Sequence, residues 1–376
     1  MAPLQLPVHT LSGKMVAMLE AQSSWTLGDV QATLEQQSNI TGSQARVLHG
    51  ETELVRGRSL ADIGVSDGSE LTLVLVKALR VVTASKDGTA MIWNASSGEC
   101  VHTLQGHAAA VASAQFSRDA SLVATASADK TAKVWCAETG KCLHTLMDVR
   151  QVLTAIFAPD NMLVLTAIPG QIARLWCSET GACVRSFHGL GRWLRSATFS
   201  LDGDKVLIAC RENTTIWSVE TGKCLRMVNM AGDWVNSAAF SPDAGQLFIA
   251  TTEGDLRIWS MSSGECLRTL EGHGDLVNVV EFSPDGEQVV LSCGSRGARI
   301  CKSDSGESLC KLEYKQSWFR RDFVTFASFD PTGEAVVTAS RDGTARLWCA
   351  GTGECVRTLK GHRDCVLSAA YSPIGK

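Results

Sequence analysis

The apolar positions of this chain follow two regimes that change near residue 78. Before it, LQLPVHTL (4–11) alternates and reads as a strand. A Gly13-Lys14 turn follows, and then a second strand, MVAMLEA (15–21). In SSWTLGDVQATLEQQS (23–38), Leu27, Val30 and Leu34 fall at helical spacing, with Thr26 as N-cap and Asp29 three residues on. ARVLHG, a turn-rich stretch to Asp67 and a last strand, ELTLVLV (70–76), complete this part. Beyond residue 79 helical spacing almost vanishes. Short runs of Val, Ala, Thr and Ser, separated by Gly, Asp and Asn, predict many short strands.

Those strands repeat. Trp93, Trp135, Trp176, Trp217, Trp259 and Trp348 occupy equivalent positions, and Cys301 fills the sixth of seven slots. The successive spacings are 42, 41, 41, 42, 42 and 47 residues. In each unit a small-residue strand such as VASAQFS (111–117) precedes a turn like Ser283-Pro284-Asp285-Gly286. A second strand then ends in Ser-x-Asp-Gly, a third ends at the Trp, and a Thr-Gly turn leads into a fourth. Asp and Gly are what tight β-turns require. Four strands cannot bury their own faces, so such units stack around an axis. The first strands (SAQF, SATF, SAAF, SAAY) are small, as expected where strands converge. The pattern opens at Leu79 with a second strand, and the chain ends on GHRDCVLSAAYSP (361–373), a first strand with no unit after it. The tail strand is therefore expected to complete the first unit.

Period, turns and Gly-His at 106–107, 272–273 and 361–362 together resemble the WD40 family over about 300 residues. The resemblance implies a buried network of His, Ser/Thr, Asp and Trp: His107, Ser127, Asp129 and Trp135 in one blade, and His362 with Ser85, Asp87 and Trp93 in another. No Trp is followed by Asp, and no unit carries Trp-Asp-x-Arg, so docking on a cullin-4 ligase adaptor gains no support. The first 76 residues resemble ubiquitin through TLSGK (10–14), RVLHG (46–50), GRSLADIGV (57–65) and SELTLVL (69–75), without the conjugating Gly-Gly tail. This implies a protein-binding apolar patch at Leu11, Val47 and Val74. The expected fold class is two domains: a small α+β ubiquitin-like (β-grasp) domain, residues 1–77, then an all-β seven-bladed WD40 propeller, residues 78–376. The first blade is 79–104 plus 361–376, and the C-terminal strand closes the ring.

Charge narrows the partners. Residues 1–76 hold four basic and eight acidic side chains, and the remainder holds 31 of each. A neutral propeller lacks the field that holds nucleic acid or an anionic membrane. No run approaches 18 apolar residues, and the N-terminus lacks the layout of a signal peptide, which points to the cytoplasm or nucleus. Six of the fourteen cysteines recur once per unit (Cys100, Cys142, Cys183, Cys224, Cys266, Cys355) and read as small hydrophobes; pairs such as Cys136 and Cys142 fall where a hairpin could set them opposite each other. Neither a metal nor a cofactor is expected, and with no GxSxG, HExxH or P-loop the chain reads as a non-enzyme.

The candidate site is aromatic. Trp193 and Trp234 precede first strands, and EYKQSWFRRDF (313–323) lengthens a third such connection. By resemblance these connections form one rim of the central channel, carrying Arg192, Trp193, Arg195, Trp234, Trp318, Phe319, Arg320 and Arg321. Trp and Arg are enriched at binding hot spots, and such a rim suits an acidic or phosphorylated peptide. A basic register on outer strands (His102, His144, Arg185, Arg226, Arg268, Arg357) reads as polar protection of exposed edges. The expected function is a protein-interaction scaffold or adaptor, with the N-terminal module recruiting a second partner in ubiquitin–proteasome traffic. The alternative is a ribosome-assembly factor whose N-terminal module docks on a large ATPase through Glu51 or Glu53.

Overall fold

A computed structural model describes residues 3–10, 14–38, 45–50, 52–54, 58–75, 79–169, 172–189, 193–230, 233–270, 277–295, 297–314 and 323–373. The chain divides into two compact units, Met1–Ala78 and Leu79–Lys376.

The first unit is a five-stranded sheet with one α-helix among the described residues. Its strands are β1 (Leu4–Thr10), β2 (Met15–Ala21), β3 (Ala45–His49), β4 (Thr52–Glu53) and β5 (Leu71–Leu75), in the order β2-β1-β5-β3-β4. Strand β1 runs parallel to β5 and antiparallel to β2. The helix α1 (Leu27–Ser38) begins where Thr26 donates both its N–H and its hydroxyl to Asp29, each at 2.8 Å. That bond occupies a backbone donor that the first turn leaves free. Val30 and Leu34 turn inward onto Leu6, Val8, Leu19, Val47, Leu71 and Leu73.

The second unit consists, among the described residues, of seven four-stranded antiparallel sheets. Six are built from consecutive strands, as in Val111–Phe116, Leu122–Ser127, Thr131–Cys136 and Cys142–Met147. The other pairs the tail strand, Val366–Tyr371, with Arg80–Ser85, followed by Ala90–Asn94 and Cys100–Leu104. Second strands such as Leu122–Ser127 are buried along nearly their whole length, whereas fourth strands such as Cys142–Met147 are mostly exposed. Apolar clusters join successive sheets: Trp135 and Val123 of one pack with Val82, Ala84 and Ile92 of the sheet before it. Val337 and Leu347 likewise pack with Trp93, Val366 and Tyr371.

The small first strands bind one another through serine. Ala114 N–H donates to Ser368 Oγ, Ala155 N–H to Ser113 Oγ, Ala238 N–H to Ser196 Oγ and Val280 N–H to Ser237 Oγ. Each hydroxyl satisfies an edge N–H of the neighbouring sheet, which a larger residue would hold too far away. Strands of different sheets are otherwise not laddered together; the exception among the described residues is a lone bridge between Gly294 and Val324.

The expected fold class is corrected on two counts. The sheets are open ladders, and the tail strand completes one of them without closing a circle of seven blades by backbone pairing. The ubiquitin-like assignment also falls. It implied an exposed apolar patch, yet Val47 is fully buried under the helix-covered face. Val74 stands in β5 opposite Arg46, and Leu11 and Glu51 lie outside the described residues. Alternating strands around one helix are a general α+β arrangement, and the chain is otherwise almost entirely β.

Candidate protein-docking face

Within the second unit the expected polar networks form, with one member changed. Trp135 Nε1–H donates to Thr125 Oγ1 at 2.8 Å, Thr125 meets His107 Nε2 at 2.8 Å, and His107 Nδ1 meets Asp129 at 2.8 Å. An indole N–H can only donate and an ionised carboxylate can only accept, so the proton assignment follows. Thr125 accepts from the Trp and donates to Nε2, while Nδ1–H donates to Asp129. Burial disfavours the His107 imidazolium more than the Asp129 bond and charge favour it, holding its pKa below the ordinary value. In the tail sheet Trp93, Thr83, His362 and Asp87 repeat this chain. Burial raises the Asp87 pKa, but bonds from Thr89, Arg363 N–H and His362 outweigh it and lower the value to about 2.

The expected hydroxyls, Ser85 and Ser127, are therefore corrected to Thr83 and Thr125. Ser127 Oγ instead donates to Ala109 O and accepts Asp129 N–H; Ser85 does the same with Asp364 O and Asp87 N–H. Ser and Thr lie two apart on one strand face, and only the Thr is level with the indole nitrogen. Where Gly-His is missing, other groups take its place. Tyr314 hydroxyl meets Thr338, which also accepts from Trp348, and Arg346 lies over the Tyr314 ring while pairing with Asp342. Asp148 pairs with Arg174, and Asp233 with Arg257. Trp259 Nε1 is buried without a partner among the described residues, and Ile249 stands where Thr125 does. His273 lies outside the described residues.

The outer basic register ties sheets together. His102 bonds Glu138 O at 2.8 Å, Arg185 Glu220 O at 2.7 Å, Arg226 Ser262 O at 3.4 Å and Arg357 Ser97 O at 2.9 Å; Arg268 bonds Asp304 O. Each reaches the last turn of the next sheet. There Gly222, at φ +69°, leaves room that a Cβ would fill 2.8 Å from Arg185 Nη1. All fourteen cysteines are free, and Trp135, not Cys136, stands opposite Cys142, so the hairpin pairing of those two thiols is not formed.

One end of the first strands gathers the aromatic candidates. Trp193 is 64% exposed with φ +61°, a conformation few bulky residues adopt, and Trp234 is 46% exposed. Arg211 lies between them: its N–H donates to Trp193 O at 3.1 Å, and its guanidinium carbon sits 3.1 Å from the Trp234 ring centroid. Arg341, in the equivalent turn of another sheet, lies 4.2 Å over Phe323. Sequence reasoning missed Arg211 and Arg341. Their signal was a cation directly after the second strand, a slot held elsewhere by Ala128 and Pro169. Arg195 is exposed at a β-bulge, the device that re-aims a side chain, and lines a cavity of about 660 Å³. Strands Val111–Phe116, Thr154–Phe157, Leu194–Phe199, Val235–Phe240, Val279–Phe282, Val324–Phe329 and Val366–Tyr371 all contribute to that cavity. Arg192, Trp318, Phe319, Arg320 and Arg321 lie outside the described residues.

Among the described residues no His, Cys, Asp or Glu cluster could hold a metal, and no helix is long and apolar enough to cross a membrane. Two family models match. Residues 77–348 match the IFT122 first beta-propeller, and residues 353–376 match the WD domain, G-beta repeat. Both matches lie beyond residue 76 and lend nothing to a ubiquitin-like assignment before it. The WD40 propeller fits a protein-interaction scaffold, and such families are generally non-enzymatic. With most of its length inside the first match, the chain belongs to the IFT122 first beta-propeller family.

Proposed function

We propose that residues 78–376 are a non-catalytic docking module, and that the face carrying Trp193, Arg195, Arg211 and Trp234 holds a protein or peptide ligand, with residues 1–77 as a separate part of the chain. The observation that carries this is the exposed Trp193 and Trp234 on either side of Arg211, next in sequence to strands whose Arg195 and Asn236 line the cavity. Exposed indoles on a rigid scaffold bury large area at little entropic cost, and Trp with Arg dominates hot spots. The cations Arg195, Arg211 and Arg341 favour a ligand with carboxylates or phosphates, although Glu212 and Glu253 are exposed in the same turns as Arg211 and Thr252. Trp318, Phe319, Arg320 and Arg321 belong to this reading as residues of the long connection. The ubiquitin–proteasome and ribosome-assembly readings rested on the N-terminal resemblance and go with it. Six exposed thiols suit a reducing compartment, the cytoplasm or nucleus. The test is a peptide array probed with the full chain. Acidic and phosphorylated peptides should be retained by the wild type and lost on Trp193→Ala/Trp234→Ala; equal retention by both proteins contradicts the reading.

A further inference from the structure

The cavity holds one carboxylate that is hydrogen-bonded to the neighbouring sheet but has no ion pair among the described residues. Glu281, on the strand Val279–Phe282, lines it and accepts a 2.8 Å bond from Ser328 Oγ through Oε1, with a further bond from Phe329 N–H. At the equivalent position the other first strands carry Gln115, Ile156, Thr198, Ala239, Ser328 and Ala370, all uncharged. The other lining acid, Asp330, is occupied by Thr332 Oγ1 and Ala335 N–H in its own turn. Among the described residues the one cation in the lining is Arg195, on Leu194–Phe199, two strands away from Glu281.

A carboxylate in such a place has unused acceptor capacity and no counter-charge beside it. Ionising it there is costly unless a cation arrives. Ser328 Oγ and Phe329 N–H take two of the carboxylate's acceptor positions, and the lone pairs that remain suit a compact ammonium better than the two-pronged guanidinium. The volume lies within the range of ligand sites and exceeds what one extended side chain needs.

We propose that Glu281 is the subsite for an alkylammonium, a lysine side chain of the docked ligand inserted into the cavity from the Trp193–Trp234 face. This rests on the docking reading above. The ammonium of the ligand supplies the positive charge that the cavity lacks, while the ligand's acidic groups remain at Arg195 and Arg211. Burial holds the Glu281 pKa up at about 7, so the bound cation also stabilises the ionised carboxylate. Neighbouring strands Val235–Phe240, Gln288–Ser292 and Val324–Phe329 carry no ionisable side chain. The other titratable groups lining the cavity among the described residues are Asp330, Arg195 and Tyr371, the last pushed above its ordinary range by burial.

The test uses the full chain and fluorescent Asp-Ser-Gly-Lys-Gly, with norleucine replacing lysine in a control peptide, read by anisotropy. The lysine peptide should bind at least tenfold more tightly than the control, and several-fold more tightly at pH 8 than at pH 6. Glu281→Gln, which keeps a partner for Ser328 and should melt like wild type, should erase both differences. Equal binding of the two peptides, no binding of either, or a lysine preference that survives Glu281→Gln overturns the proposal. A preference for acidic peptides that is lost on Trp193→Ala/Trp234→Ala but untouched by Glu281→Gln would leave the docking face standing without this subsite.

Discussion

His362 and Asp87 lie 275 positions apart in sequence and are joined by a 3.0 Å hydrogen bond. The same bond between His107 and Asp129 spans 22 positions and measures 2.8 Å. The local geometry is alike because the tail strand stands where a first strand belongs. Its Ser368, Ala369, Ala370 and Tyr371 pair with Ala84, Thr83, Val82 and Val81. Removing residues 362–376 would strip one edge of Arg80–Ser85 and leave Asp87 and Thr83 without their imidazole. An open edge of this kind invites aggregation. The truncated protein should lose cooperative unfolding of the second unit or aggregate, as followed by circular dichroism during heating. Melting like the full chain would contradict the assignment.

Thr125 and Ser127 separate the two roles of a strand hydroxyl. Thr125→Val leaves both Trp135 Nε1–H and His107 Nε2 without a partner, and should cost about 2–4 kcal/mol; Ser127→Ala should cost about 1–2 kcal/mol. Urea unfolding of both variants measures the difference. Equal losses would mean that the network does not run through Thr125.

Trp259 offers the converse. Its buried N–H has no acceptor among the described residues, so Trp259→Phe removes an unsatisfied donor at the expense of some packing. Trp135→Phe breaks a formed bond and leaves Thr125 half-paired. The first should be the milder substitution by about 1 kcal/mol or more, again by urea unfolding; the reverse order would refute the account.

Stability should respond to pH in two opposite ways. Glu281 is held at about 7 in the folded chain against an ordinary 4.5, so its proton is bound more tightly in the folded state. Its contribution is complete below pH 4.5 and is lost as pH rises through 7. Asp87, at about 2, and Asp129, also lowered, contribute above about pH 4 and lose that contribution as pH falls towards 2. His107 and His362 are kept neutral by burial, so acid below about pH 6.5 also weakens the fold. Melting temperatures of wild type and Glu281→Gln between pH 5 and 8 test the first arm. The wild type should fall relative to the variant as pH rises, and parallel curves would exclude it.

Much of the second unit was legible because its information is local and repeated. The turn residues fix the hairpins, and the Trp register fixes which strand is third. The orphan strand at Val366–Tyr371 was legible for the same reason, since Leu79 begins a unit that lacks one. The Thr83 and Thr125 links were hidden: Thr and Ser two apart share a face, and only the diagonal to the Trp across the ladder chooses between them. Arg211 was hidden because the ring it covers, Trp234, belongs to the next sheet. In the first unit, alternation grouped Val47 with its face-mates but could not say that α1 covers that face.

The docking face is tested most directly by affinity purification from the native cell, comparing wild type with Trp193→Ala/Trp234→Ala and measuring the melting temperature of each. Both indoles are exposed, Trp234 about half, so the variant should melt within a few degrees of wild type while losing the proteins that wild type retains. Retention of the same proteins by the variant, or a collapse of its melting temperature, would show that these residues do not form the binding face.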